Sequence, residues 1–255
     1  MLLAIDMGNT NIVIGCIDDQ QIYFIESMST DLSKTALEYA IGFKTVLELY
    51  KIDVNQIQGV IISSVVPPLI NIIKAAIEKI IKVKPLIIGS GIKTGLNILM
   101  DDPKTVGSDL VVVSVAGVNE YGSPLIVIDC GTATTMSVID KNKNYIGTVI
   151  LPGIKVALEA LVSRTAQLPR ISMEAPKKVI GRNSIDCMKS GIIYGNASCI
   201  DGMIERIESE LGYKTTVIAT GGLSKVVFQH CHKKIIYDGT LLIKGLKIIY
   251  DKNME

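Results

Sequence analysis

One phrase occurs twice in this chain: an apolar run that ends in Asp-x-Gly and a group of small polar residues. Met1-Leu2-Leu3-Ala4-Ile5-Asp6-Met7-Gly8-Asn9-Thr10-Asn11 opens the sequence, and Leu125-Ile126-Val127-Ile128-Asp129-Cys130-Gly131-Thr132-Ala133-Thr134-Thr135 returns near its middle. A second apolar run, Ile12 to Cys16, follows the first copy. The pattern predicts strand, tight turn, strand, with the polar groups presented at the turn. One such turn fits ordinary hairpin chemistry, since Asp and Gly favour turns for backbone reasons alone. Two copies, each opening one half of the chain, point to a duplicated phosphate site.

The rest of the sequence fits two halves of similar plan, residues 1–118 and 119–255, joined near residues 115–124. In the first, Ile12 to Cys16 and Ile22 to Ile25 complete a meander. Ser33 is placed to cap a helix carrying Ala36, Leu37, Ala40, Ile41, Phe43, Leu47 and Leu49 at helical spacing. Gly59 to Ser63 reads as a buried strand, Leu69 to Ile81 as a helix opened by Pro67-Pro68, and Pro85 to Ile88 as a short strand. Gly89 to Gly95 lacks the spacing of a dinucleotide loop and reads as a flexible connection. Gly107-Ser108-Asp109 begins a helix to about Tyr121, which puts Ser108 or Asp109 where unpaired amides favour an anion.

The second half repeats the meander with Leu125 to Asp129, Thr134 to Ile139 and Tyr145 to Leu151. A helix at Lys155 to Thr165 follows, then an irregular stretch from Leu168 to Gly181. A long helical region, Ser184 to Leu211, is interrupted by Gly191, Gly195 and Gly202. A strand at Thr216 to Ala219, the turn Thr220-Gly221-Gly222-Leu223-Ser224, a strand at Ile235 to Tyr237 and a helix from Leu241 to Tyr250 complete it. The expected class is α/β, with mixed sheets.

Composition narrows the partners. A net charge of +1 with interspersed signs gives no argument for nucleic acid or a membrane surface. Apolar stretches such as Gly59 to Val66 are too short to span a bilayer. The first strand starts without a basic region or cleavage signal, so a cytoplasmic protein is expected. Cys16, Cys130, Cys187, Cys199 and Cys231 are odd in number and widely spaced, which argues against a disulfide framework. His230-Cys231-His232 has no second cluster at zinc-like spacing, and a solvated helix end is the simpler reading.

Two meander-plus-helix halves opening on Asp-x-Gly turns resemble the actin, sugar kinase and Hsp70 ATPase superfamily, whose halves are ribonuclease H-like. The ordered set Asp6-Met7-Gly8-Asn9-Thr10, Asp129 to Thr135, Leu151-Pro152-Gly153, Arg164 to Pro169, Ile180 to Ser184 and Ser190 to Gly195 is similar to type III pantothenate kinase, nearly end to end. The resemblance implies ATP-dependent phosphorylation of pantothenate, the first step of coenzyme A biosynthesis, by a homodimer. It implies nucleotide and phosphate contacts from Asp6, Met7, Gly8, Asn9, Thr10, Asn11, Ile12, Val13, Thr132, Gly221 and Gly222. Asp6 would orient hydrated Mg²⁺, and Asp129 would hold a monovalent cation, K⁺ or NH₄⁺. Asp109 would be the base that takes the alcohol proton; an Asp here also suits a helix N-cap without any catalysis, and both can hold at once. Met100, Gly107, Ser108, Leu110 and Ser184 would line the acceptor, Ser184 across the dimer interface.

Three places depart from the family pattern, the mildest being Asp102-Pro103 where Asn-Pro is common. Leu110 stands where Gly-x-Asp-Arg has its arginine, and Met100 where a tyrosine is usual. Arginine is the natural two-point partner for a carboxylate. Losing such a contact costs about 1.5–3 kcal/mol, or roughly ten- to hundredfold in affinity. Three readings stay open: a pantothenate kinase with a different carboxylate contact, a same-fold kinase for another small alcohol, and a catalytically impaired regulatory homologue.

Overall fold

The computed structural model describes residues 1–222 and 224–254; Leu223, in the turn expected after Thr220, lies outside the described residues. In chain order the elements are β1 (Leu2–Met7), β2 (Asn11–Ile17), β3 (Ile22–Ser29), α1 (Ala36–Leu49), β4 (Gly59–Ser64), α2 (Ile70–Ile80), β5 (Leu86–Ile87), β6 (Asn97–Ile98), α3 (Ser108–Tyr121), β7 (Leu125–Cys130), β8 (Ala133–Ile139), β9 (Asn144–Pro152), α4 (Ile154–Ser163), α5 (Ser184–Leu211), β10 (Thr216–Thr220), α6 (Ser224–Phe228), β11 (Ile236–Tyr237) and α7 (Leu241–Met254). Two mixed sheets are flanked by helices. The chain divides into two compact units, residues 1–96, 101–116 and 240–255, and residues 97–100 and 117–239.

In the first unit the sheet order is β3-β2-β1-β4-β5. β1 pairs antiparallel with β2 and parallel with β4, so the hairpin supplies one neighbour and a helical crossover the other. Side chains alternate across a strand. Leu3, Ile5 and Met7 therefore share a face with Ile12, Ile14, Val60 and Ile62, and that face is buried with Tyr39, Phe43 and Leu47 of α1 and Ile73, Ala76 and Ile77 of α2. The opposite face takes α7, whose Ile243 lies against Gly15 and whose Tyr250 lies against Gly59. Asp6 belongs to this second face by the same alternation.

The second unit has the order β11-β10-β7-β8-β9-β6. Ile126, Ile128, Met136, Val138, Val217 and Ala219 form the face covered by α4 and α5, through Ile154, Leu158, Met188 and Ile192 among others. On the other face Gly117 of α3 lies against Leu125, Val127 and Ile218. Asp129 stands on that face, at the carboxyl end of β7.

Several expectations change in detail. The cap of α1 is Thr35, not Ser33: Thr35 accepts the Glu38 amide while the Glu38 carboxylate accepts the Thr35 amide, and Ser33 instead donates to Asp31. A Thr with Glu three residues on satisfies two orphan amides at once, which a lone serine two residues earlier cannot do. Leu37, Ile41 and Leu49 of α1 face solvent, and the buried stripe runs through Tyr39, Ala40, Phe43 and Leu47. The glycines of α5 do not interrupt it, since the helix is continuous over 28 residues and ends at Gly212. β6 and α6 were not expected; a two-residue strand and a five-residue helix are too short for periodicity to register. The Gly89 to Gly95 connection is tied down where the Lys93 amide donates to Asn253 Oδ1 and Asn253 Nδ2 donates back to the Lys93 carbonyl.

The reassigned cap gives a contrast that denaturant melts can read. Thr35→Ala is expected to lower stability by about 1 kcal/mol, while Ser33→Ala stays within about 0.5 kcal/mol of the parent. Equal losses at both positions would contradict the assignment.

Candidate active site

The first turn is a tight hairpin between β1 and β2. The Gly8 amide donates to the Asn11 carbonyl at 3.0 Å, and Thr30 at the end of β3 donates its hydroxyl to the Gly8 carbonyl at 2.7 Å. The Thr30 amide also donates to the Thr10 carbonyl at 2.9 Å. The turn is thus held from outside while Asn9, Thr10 and Asn11 stay exposed. Met7 and Ile12 place their side chains in the hydrophobic core, so only their backbone can face a ligand. Asp6 is buried at the end of β1, in register with Val13 of β2 and Ser63 of β4.

The second turn opens on the same Asp-x-Gly phrase, is one residue shorter and has different neighbours. The Gly131 amide donates to the Ala133 carbonyl at 2.9 Å, and the Gly153 amide to the Thr132 carbonyl at 3.1 Å, while the Thr132 side chain is exposed. Gly221, after β10, approaches so closely that an added Cβ would lie 2.4 Å from the Cys130 carbonyl oxygen, and its φ is +96°. Only glycine fits both the backbone angle and the gap. The Gly221-Gly222 turn and the Asp129-to-Thr132 turn therefore adjoin within one unit. Strand register sets Asp129 between Thr220 on β10 and Thr135 on β8. The Thr135 Oγ1 is buried and has no hydrogen-bond partner among the described residues. An unsatisfied buried hydroxyl is a natural place for an ion or a water.

Asp109 lies in the first turn of α3 in the first unit, half-buried, with Oδ1 accepting the Leu110 amide at 2.9 Å. Gly107 makes room for it: a Cβ at 107 would sit 2.3 Å from Asp109 Oδ1. Burial pushes the carboxyl above the usual carboxylate range, with the amides of Leu110 and Asp109 pulling the other way. Ser108 turns its hydroxyl back to β4, 2.9 Å from Ser63 Oγ. Leu110 is buried, and Met100 is half-buried just after β6. Ser184 is exposed at the start of α5, where Asn183 accepts the Asp186 amide as the cap. A groove of about 760 Å³ beside it is lined by Leu161, Leu168, Arg182, Cys187, Met188 and Ile192, among others. His230 stacks edge-on to Tyr194, and burial pushes the Cys231 thiol up to about 12. Among the described residues no three His, Cys, Asp or Glu side chains converge as a metal cluster.

These positions fall largely within one family match. The model of type III pantothenate kinase matches residues 2–206. The chain belongs to that family. A type III pantothenate kinase of Bacillus cytotoxicus is 43% identical over 253 residues, covering 99% of this chain and 97% of that one. Two solved structures share the fold at low identity. A conserved protein of Campylobacter jejuni, named for the Baf family of transcriptional activators, has a TM-score of 0.58 at 19% identity, covering 99% of this chain and 98% of that one. A protein of Sinorhizobium meliloti, named for 2-dehydro-3-deoxygalactonokinase, has a TM-score of 0.60 at 11% identity, covering 99% and 96%. The pantothenate kinase match contains both Asp-x-Gly turns, Asp109 and Ser184; Gly221 and Gly222 lie beyond its end. The fold is that of the actin, sugar kinase and Hsp70 ATPase group, with two mixed sheets flanked by helices. Among the described residues no helix is long and apolar enough to cross a membrane.

The raised Asp109 carboxyl has a consequence for stability. The folded chain binds this proton more tightly than the unfolded chain does, so stability falls as pH rises from the ordinary Asp value, about 3.9, through the higher folded value. Asp109→Asn keeps the acceptor for the Leu110 amide and removes the charge. It is expected to melt higher than the parent near neutral pH, with the difference vanishing below the ordinary Asp value; calorimetry across pH reads this, and equal melting at neutral pH would contradict it.

Proposed function

We propose that this chain transfers the γ-phosphoryl group of ATP to the primary alcohol of pantothenate, giving 4′-phosphopantothenate and ADP at the entrance to coenzyme A biosynthesis. The observation that carries this is the family match across both phosphate turns and the base position. Phosphoryl transfer needs positioning and charge neutralisation more than covalent work by the protein. The exposed amides and side chains of Gly8, Asn9, Thr10 and Asn11, with Thr132, take phosphate oxygens, with backbone support from Met7, Ile12 and Val13. Gly221 and Gly222 take the adenosine. The Asp109 carboxylate accepts the alcohol proton as the new O–P bond forms and the bond to the β–γ bridging oxygen breaks. Its burial favours this, because a base with a raised pKa binds the departing proton more firmly.

The donor sets suit the ions that such a kinase uses. Asp6 is a buried carboxylate on the edge of the first turn, fitting hydrated Mg²⁺ on the nucleotide. Asp129, flanked by Thr220 and the unpartnered Thr135 hydroxyl, offers one charge with neutral oxygens, fitting a monovalent cation such as K⁺. Bound there, the cations neutralise phosphate charge.

Leu110 and Met100 favour a second reading, a small alcohol without a carboxylate, because both put apolar atoms where the family pattern has Arg and Tyr. Coupled ADP release with ATP, Mg²⁺ and K⁺ decides between them. Turnover is expected with pantothenate, abolished by Asp109→Asn. Leu110→Arg is expected to lower the pantothenate KM by about tenfold or more, the worth of one charge-assisted contact. Silence at saturating pantothenate with turnover of pantetheine would install the second reading.

A homodimer is the assembly we infer. Ile150, Val179, Ile180 and Ile185 of the second unit expose apolar side chains, Ile180 to 82%. The segment bearing Val179 and Ile180 is pinned by Ser190 Oγ donating to the Val179 carbonyl and Tyr194 OH donating to the Pro176 carbonyl. A fixed apolar edge suits a second copy of the same surface, and it would bring the partner near Ser184. Light scattering is expected to give twice the chain mass for the parent and a monomer for Ile180→Glu; a monomeric parent ends this inference.

A further inference from the structure

The hydroxyl of Ser108 has three partners, all on β4. It lies 2.9 Å from Ser63 Oγ, donates to the Ser64 carbonyl at 3.1 Å, and accepts the Ser64 amide at 3.2 Å. A serine hydroxyl has one proton and two lone pairs. Either hydroxyl can donate in the contact with Ser63; with the Ser108 proton on the Ser64 carbonyl, Ser63 is the donor. The hydroxyl is then fully used. Ser64 Oγ in turn accepts the Val66 amide at 2.9 Å, which fixes the chain as it leaves the strand. Ser63 is completely buried.

The place of this cluster gives it meaning. Ser63 is the register partner of Asp6 in the parallel pair of β1 and β4. Register partners on neighbouring strands stand about 4.8 Å apart and point to the same face. From Asp6 the path runs one strand sideways to Ser63, through one hydrogen bond to Ser108, and one residue along α3 to Asp109. The Asp109 carboxyl is held by the backbone of its own turn, accepting the Leu110 amide at 2.9 Å. Gly107 before it makes no side-chain contact of its own.

We propose that Ser63 is a positioning residue for the phosphoryl-transfer reaction: through its hydrogen bond with Ser108 it locks the first turn of α3 to β4 and so fixes the Asp109 carboxylate relative to Asp6. This rests on the reading of Asp109 as the base. The lock acts on reaction geometry more than on folding, because a core that holds β4 by its neighbours β1 and β5 remains when one hydroxyl is lost. A displaced base loses rate steeply, since misplacement on the ångström scale costs up to about a hundredfold. Loosening the turn also admits water to the carboxyl and lowers its pKa toward the ordinary range.

The test pairs turnover with a readout that needs none. Ser63→Ala, Ser108→Ala and Ser108→Thr are compared with the parent for kcat and KM, and the Asp109 carboxyl is titrated by carbon NMR without substrates. The expected result is a kcat lower by about tenfold or more in both alanine variants, a near-parental KM for ATP, recovery in Ser108→Thr, and a carboxyl that titrates at lower pH in both alanine variants. A folded Ser63→Ala with parental kcat and an unmoved Asp109 titration would overturn the proposal, leaving the cluster a packing feature. If the alanine at 63 does not fold, Ser63→Cys, nearly isosteric and a weaker donor, is read by the same two measurements. Asp109→Asn separates the two layers: if it keeps parental kcat, the base reading falls, while the titration in Ser63→Ala still reports whether the lock acts on the carboxyl.

Discussion

Parallel strand register is the constraint on which this molecule depends. Pairing of β1 with β4 sets Asp6 beside Ser63, and pairing of β7 with β10 sets Asp129 beside Thr220. A slip of one residue would turn every side chain of a strand to the other face, sending each aspartate into an aliphatic core and Ile5 or Ile128 out of it. The register is therefore held by burial on the apolar face, and the polar face inherits its accuracy. Carboxyl ends of parallel strands are where ligands gather in α/β sheets, and both aspartates stand there.

The two turns share the Asp-x-Gly phrase and differ in length by one residue and in what surrounds them. At the first, the cross-strand neighbours of Asp6 are Val13 and Ser63, and the serine is engaged with Ser108. At the second, the neighbours of Asp129 are Thr135 and Thr220, so an oxygen replaces the valine. In the first row the serine ties α3 to β4 through Ser108, and in the second both neighbours of the aspartate carry hydroxyl oxygens. Duplication thus provides the frame, and single side chains in one row of three set the roles apart.

Much of this was legible in the sequence, for identifiable reasons. The strand–turn–strand phrases were clear because period-two burial and Asp-x-Gly turns are local, and the start of α3 at Ser108 was clear because a Gly precedes it. The cap at Thr35 is harder to read because Ser33 is an equally good cap residue by type, and only the reciprocal bonds with Glu38 select Thr35. The buried stripe of α1 was misplaced because apolar residues occur all around it, and only packing against α2 selects Tyr39 and Phe43. Which strands pair in parallel is non-local, so the pairing of Asp6 with Ser63 and of Asp129 with Thr220 has no signal in the linear text, whereas Thr135 faces Asp129 through the local β7–β8 hairpin. The Ser63 donor, the crowding of Gly107 against Asp109 and the approach of Gly221 to Cys130 all belong to that unseen layer.

The bond between Asn253 and Lys93 carries one further consequence. Its carboxamide meets both the amide and the carbonyl of a single loop residue, as a strand neighbour would, across 160 positions of chain. Helix ends fray, opening and closing far more often than the molecule unfolds. Each time the last turn of α7 unwinds, the Lys93 amide loses its acceptor and meets solvent. The exchange of that amide is therefore expected to follow the fraying of the last turn of α7.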